Sequence, residues 1–206
     1  MRRVCRAIGT FAPPVAAATV AVAGFLSPGY DAVTRTVSRL AVPGMPAAFA
    51  TDLAIALAGV ACLAVAVQIR EARAPLLAAG SGFLAAAAIH LDSASDLGTW
   101  AHRGASALAV IGLTAAPLLL WRAYGRVLLI LGMAEVAMLV VALALLPTSF
   151  NAWGAWERAL LLLALGSLMV TARKIPSIDD AASPSIAIQS NAGTYAPVDS
   201  VNSAKP

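Results

Sequence analysis

The only two histidines of the chain, His90 and His102, flank two carboxylates, Asp92 and Asp96, within the segment IHLDSASDLGTWAHRGA. Imidazole and carboxylate groups brought together can hold zinc, which needs three or four nitrogen, oxygen or sulfur ligands. His90, Asp92 and His102 are therefore the candidate metal ligands, and Ser38 or a water would be the nucleophile of a metal-dependent membrane hydrolase. The spacing is not a recognised zinc pattern, and two residues apart on a continuous helix, His90 and Asp92 would diverge. Capping of a helix by Asp96 or Thr99, with His102 pairing to an outer carboxylate, accounts for the same residues more simply. A haem held by both histidines is a further assignment that the residue types allow. No cofactor is expected, and no phosphate-cradling or Ser-x-x-Lys pattern is present.

Other polar side chains gather in two further connections. In PGYDAVTRTVSRLAVPGMP, Val33, Val37 and Leu40 recur at near-helical spacing, which predicts a short amphipathic helix lying at a membrane interface. Asp31 and Arg35, four apart, would pair on one face of it. In GAWERALLL, Glu157 and Arg158 open an apolar run. Tyr30, Asp31, Arg35, Ser38, Asp92, His102 and Arg158 thus form a candidate polar cluster, able to line a shallow pocket or to make a surface ion-pair network. Glu135 stands apart, about eight residues into an apolar stretch and so roughly 12–14 Å from its end. A carboxyl there needs polar neighbours inside the bundle. Cys62, Ser81, Thr114 and Ser167 lie at comparable depth. Glu135 would make a hydrogen bond between helices, or serve as the relay of a small proton-coupled transporter.

The elements that must position these groups are six long apolar stretches, about 7–26, 47–69, 75–91, 101–120, 127–146 and 156–172. About 20 apolar residues match a hydrocarbon core of about 30 Å, and backbone in lipid must satisfy its own hydrogen bonds, so each stretch should be a helix. The fold class expected is all-α: a polytopic membrane protein, a six-transmembrane-helix bundle. The 206 residues are 60% hydrophobic and 12% charged, against about 25% charged in a soluble domain. That deficit excludes an ordinary soluble enzyme. Nine cations lie in alternate connections and flanks (Arg2, Arg3, Arg6, Arg70, Arg73, Arg122, Arg126, Arg173 and Lys174), against four in the others (Arg35, Arg39, Arg103 and Arg158). The excess places the N-terminus and C-terminus in the cytoplasm and the polar cluster on the outer face. It also disfavours a nucleic-acid partner, since the cations form no stripe that could follow phosphates.

Arg2-Arg3, the apolar run and Ala21-Val22-Ala23 resemble a signal peptide, but the run is long for one and a retained helix is expected. Pro13 and Pro14 then fall in its first turns, where missing amide donors cost least. Two cysteines, Cys5 and Cys62, cannot build a disulfide framework. Small residues such as those at 78–82 and 85–88 allow close helix approach, hence a compact bundle. Residues 175–206 turn polar and read as a disordered cytoplasmic tail.

At Tyr30-Asp31 and Val37-Ser38-Arg39-Leu40 the chain resembles the bacterial membrane-protein family called domain of unknown function 998. That family has six predicted helices and a tyrosine or aspartate followed by an Ile/Val-Ser-x-Leu signature in its first outer loop. Asp92 and His102 resemble its outer aspartate and helix-four histidine, and Arg158 resembles the arginine opening its last helix. Arg39 stands where the family commonly has glutamate. The resemblance covers about residues 7–174. It implies the six-helix architecture and the outer cluster, and no established activity. The expectation is a multi-pass protein of the cell membrane that works by binding or assembly through its outer face. Its partners would be the lipid bilayer and a membrane-protein partner or a second copy of the chain.

Overall fold

The computed structural model of the protein describes residues 1–91 and 95–175. Six helices account for it: α1 (Arg2–Leu26), α2 (Ala48–Ala66), α3 (Arg73–Ala88), α4 (Asp96–Tyr124), α5 (Arg126–Leu145) and α6 (Trp153–Lys174), with one short 3-10 turn at Val37–Arg39. Among the described residues there is no strand. The tail beyond residue 175, and Asp92, lie outside the described residues.

Five of the helices are long and apolar enough to cross a membrane. The exception is α3, whose 16 residues give about 24 Å at 1.5 Å per residue. The chain is an integral, multi-pass membrane protein by this measure, because a run of such helices has no soluble counterpart at this composition.

Helix order follows sequence order around the bundle. Each helix packs on the next, α6 closes the ring against α1, and α6 also touches α4 and α2. Small residues set how closely the axes approach. A Cβ added at Gly82 of α3 would stand 2.6 Å from the Ala105 oxygen and the Ala109 nitrogen of α4, and one added at Gly59 of α2 would stand 2.9 Å from the Gly80 oxygen of α3. The core is accordingly built from alanine as much as leucine: Ala54, Ala58, Ala61, Cys62 and Val65 form the buried stripe of α2. On α5 only Leu128, Gly132 and Glu135 are buried, one face at i, i+4 and i+7.

The structure departs from the sequence expectation at several points. α1 starts at Arg2, so Pro13 and Pro14 sit in its middle rather than in its first turns. Buried Gly9, four residues before Pro13, lets α1 approach its neighbours, since an added Cβ would stand 2.6 Å from Val65 of α2 and 2.8 Å from Ala172 of α6. α4 extends through Trp121 to Tyr124 and ends at Gly125, whose φ of 105° is readily available only to glycine. The connection between α1 and α2 is a set of turns around Val37–Arg39 and not an amphipathic helix.

Cations cap the opposite end of the bundle. Lys174 Nζ donates to the Tyr124 carbonyl at 2.7 Å, Arg6 to the Arg173 carbonyl at 3.1 Å, and Arg73 Nε to the Ala66 carbonyl at 3.4 Å. Each meets the otherwise unpaired carbonyls at a helix C-terminus, where positive charge is favoured.

Candidate functional site

The connection between α1 and α2 is shaped by α6. Arg158, half-buried in the second turn of that helix, donates from one guanidinium nitrogen to the carbonyls of Ala32 (2.8 Å) and Arg35 (3.1 Å) and to Gly154 of its own helix (2.9 Å). Its other terminal nitrogen donates to the Tyr30 hydroxyl. The amide of Ala155 donates to the Val33 carbonyl at 3.0 Å, using one of the free amides of the α6 N-terminus. These long-range donors take the carbonyls of residues 32, 33 and 35. A helix through this segment would have used them in its own i→i+4 ladder, which is the physical reason the expected amphipathic helix does not form.

Tyr30 completes the clamp. Its single hydroxyl proton is shared between the carbonyls of Arg35 (2.9 Å) and Thr36 (2.8 Å). Burial pushes its ionisation above the usual tyrosine range, with the Arg158 hydrogen bond pulling the other way, so the phenol stays neutral. Glu157 adds the next anchor, accepting the Val37 amide at 2.6 Å. Gly154 is needed for this seat, because an added Cβ would overlap the carbonyl oxygens of Arg35 and Ala32.

Asp31 does not pair with Arg35. Its carboxylate accepts the Val33 amide (2.9 Å) and the Thr34 hydroxyl (2.8 Å), closing a local turn. These two hydrogen bonds hold it below the usual carboxylate range.

The clamp places the 3-10 turn against α4. Ser38 Oγ lies 2.9 Å from His102 Nε2. The other ring nitrogen, Nδ1, faces the Ile89 carbonyl oxygen. A carbonyl only accepts, so Nδ1 carries a proton, and in the neutral imidazole Nε2 is left to accept from the Ser38 hydroxyl. His102 is 3% exposed, fixed from both sides. It does not meet an outer carboxylate among the described residues, and Ser95, not Asp96 or Thr99, is the side chain that accepts the Gly98 amide as the α4 cap (3.1 Å).

His90 is held elsewhere. Its Nε2 lies 2.8 Å from Asp52 Oδ2 at the start of α2. With both nitrogens of His102 engaged and His90 turned to Asp52, the two imidazoles do not share a coordination point. Among the described residues no three histidine, cysteine or acidic side chains converge for a metal. The third ligand candidate, Asp92, lies outside the described residues. The His90–Asp52 pair was not foreseen. Its only sequence signal is that the start of α2 and the end of α3 must lie on the same face.

Ser38 and His102 open onto a cleft of about 1010 Å³. Three exposed arginines, Arg35, Arg39 and Arg103, line it, along with the hydroxyls of Thr34, Thr36 and Ser106. Arg103 lies over the Trp100 ring at 5.4 Å. Of the two acids in the wall, Asp96 and Glu157, Glu157 is engaged with the Val37 amide. Among the described residues none of the three arginines meets a carboxylate at ion-pair distance, so the cleft is net cationic.

Of the cluster expected from sequence, the structure therefore joins Tyr30 and Arg158, with Arg35 entering only through its carbonyl, in one network and Ser38 with His102 in a second, connected through the 3-10 turn. Glu135 is separate. It is fully buried between helices, with Thr114 of α4 and Ser167 of α6 as polar neighbours. Neither closes to a hydrogen bond: both carboxyl oxygens and the Thr114 hydroxyl lack a partner among the described residues, while Ser167 donates to its own helix at Ala164.

The profile of the family described as protein of unknown function (DUF998) matches residues 10–174, which holds all six helices nearly complete and the whole outer network. The chain belongs to the DUF998 family. No protein of curated function and no solved structure matches it. Membership therefore adds no chemistry to the DUF998 cleft, whose function must be argued from its own side chains.

Proposed function

We propose that this DUF998 protein is a six-span protein of the cell membrane, with both termini in the cytoplasm, that binds a ligand carrying an anionic group in its outer cleft. The orientation rests on the nine-to-four division of cations between alternate connections. The sixth span would be α3, extended across the rest of the bilayer by its flanking residues. The observation that carries the binding reading is the cleft itself: three arginines without carboxylate partners among the described residues, and several hydroxyls, face one open space. Guanidinium groups recognise carboxylate and phosphate through paired hydrogen bonds. The network of Arg158, Tyr30 and Glu157 is the scaffold holding that wall in place.

The test uses the purified full chain in detergent, titrated calorimetrically with dioctanoyl phosphatidylglycerol and, separately, with zwitterionic dioctanoyl phosphatidylcholine. The anionic probe binds more tightly. Each of Arg35→Gln, Arg39→Gln and Arg103→Gln weakens it about tenfold, the effect of about 1.4 kcal/mol, which is near the value of a charge-assisted hydrogen bond. Equal binding of the two headgroups, or a triple variant that binds unchanged, overturns the reading.

A further inference from the structure

We propose that Ser38 and His102 are the nucleophile and base of an acyl-transfer site that cleaves fatty-acyl esters of anionic alcohols. The inference rests on the anion-binding reading of the cleft and names the substrate class. Two independent features carry it.

The first is the order of the hydrogen bonds. Ser38 Oγ is 2.9 Å from His102 Nε2, and the Ile89 carbonyl fixes the opposite nitrogen as the protonated one. Nucleophile, base and orienting group stand in the sequence that activates a hydroxyl. The hydroxyl lies in the wall of an open cleft, where a substrate can reach it, and not in the core.

The second is an apolar groove beneath the same turn. It runs between α1, α2 and α6, lined by Ala17, Val20, Ala58, Leu161 and Leu165, and Val37 forms part of its wall. Val37 and Ser38 are consecutive, so the turn has one side chain in the apolar groove and the next in the cationic cleft. In a chain embedded in lipid, the occupant at hand for an apolar groove of this kind is an acyl chain. A substrate with its chain below Val37 and its anionic headgroup beside Arg35, Arg39 and Arg103 would lay its ester bond across Ser38.

The reaction balances with water alone. Ser38 Oγ attacks the ester carbonyl carbon as its proton passes to His102 Nε2. The tetrahedral adduct collapses, breaking the bond to the alcohol oxygen, and the alcohol leaves with that proton. Water, deprotonated by His102, then attacks the acyl–Ser38 ester, releasing the fatty acid and restoring the hydroxyl.

The test treats the full chain with a long-chain alkyl fluorophosphonate and with its ethyl analogue. With either, a nucleophilic serine forms an oxygen–phosphorus bond and expels fluoride. The adduct is mapped by mass spectrometry. Labelling is expected at Ser38, at least about tenfold faster with the long chain. It should be absent in Ser38→Ala and slower by about 10² or more in His102→Gln, the usual contribution of a general base. Ala58→Phe, which fills the groove, removes the long-chain advantage. Two of these readouts use the unaltered chain, so they do not depend on how the variants fold. No adduct at Ser38 while dioctanoyl phosphatidylglycerol still binds overturns the dyad and leaves the anion site. An adduct without lipid binding overturns the anion site and keeps the dyad, and absence of both overturns both. Equal rates for the two probes overturn the groove assignment.

Discussion

Arg158 and Tyr30, 128 residues apart, are joined twice: the guanidinium donates to the phenol oxygen, and its central carbon lies 5.5 Å from the centroid of the phenol ring. Through this contact the last helix fixes the first outer loop. Arg158→Ala should destabilise the protein by roughly 1.5–3 kcal/mol, the range for hydrogen bonds to a charged group. Tyr30→Phe, which keeps the ring and loses the hydroxyl, should cost about 0.5–1.5 kcal/mol. Thermal unfolding of both single variants and the double variant in detergent gives the coupling, expected at about 0.5 kcal/mol or more. Strict additivity would show that the two side chains act on the loop separately.

The pH dependence of this loop has a definite sign at Asp31. Its folded-state ionisation is held below the ordinary value by the Val33 amide and the Thr34 hydroxyl. The stabilisation is therefore present above the unfolded value of about 3.9 and is lost as the pH falls through the lower folded value. Asp31→Asn keeps one acceptor oxygen and loses the charge. Melting temperatures of the two proteins should differ at neutral pH, with the natural chain higher, and should converge below about pH 4. A gap that stays constant down to pH 3 would assign the effect to something other than the carboxylate charge.

The helices were legible in the sequence because hydrophobic length is a local pattern, and lipid leaves the backbone few alternatives. The loop was not. Val33, Val37 and Leu40 do have helical spacing, yet the hydrogen-bond partners that pull residues 32–37 into turns are the Ala155 amide, the Glu157 carboxylate and the Arg158 guanidinium, more than 100 residues away. Periodicity within a segment contains no trace of such partners. The site shows the same division. Ser38 and His102 were both singled out by residue type, but their contact spans 64 positions and follows only from the way α6 seats the turn. Asp31 and Arg35 had the right spacing for an ion pair. Two nearer donors, the Val33 amide and the Thr34 hydroxyl, took the carboxylate instead.

Close packing of α3 on α4 makes the glycines unequal. At Gly82 a Cβ would meet backbone atoms of Ala105 and Ala109 at 2.6 Å, and backbone cannot swing aside; at Gly104, on α4, nothing lies within 4 Å. Gly82→Ala should lower stability by about 1–3 kcal/mol through overpacking. Gly104→Ala should be neutral or stabilising, by up to about 1 kcal/mol from the higher helix propensity of alanine. Unfolding midpoints of both variants in the same detergent check the contrast. Equal midpoints would mean that α3 and α4 separate more readily than their packing implies.

Glu135 gives the least intuitive expectation. Its side chain is fully buried on the inward face of α5, and neither carboxyl oxygen has a hydrogen-bond partner among the described residues. Burying a polar group without a partner costs about 1–3 kcal/mol. Replacing it with a similar-sized apolar side chain breaks no hydrogen bond that the structure contains. Glu135→Leu should therefore leave the bundle as stable as before or raise its melting temperature. Thr114→Val, which removes the other unpartnered group facing it, should act in the same direction. If Glu135→Leu instead melts at a lower temperature, the carboxyl has a partner in the membrane, and Glu135→Gln then separates the two kinds. A hydrogen bond to a neutral partner survives in the glutamine variant and restores the midpoint, whereas an interaction that needs the carboxyl's charge or proton does not.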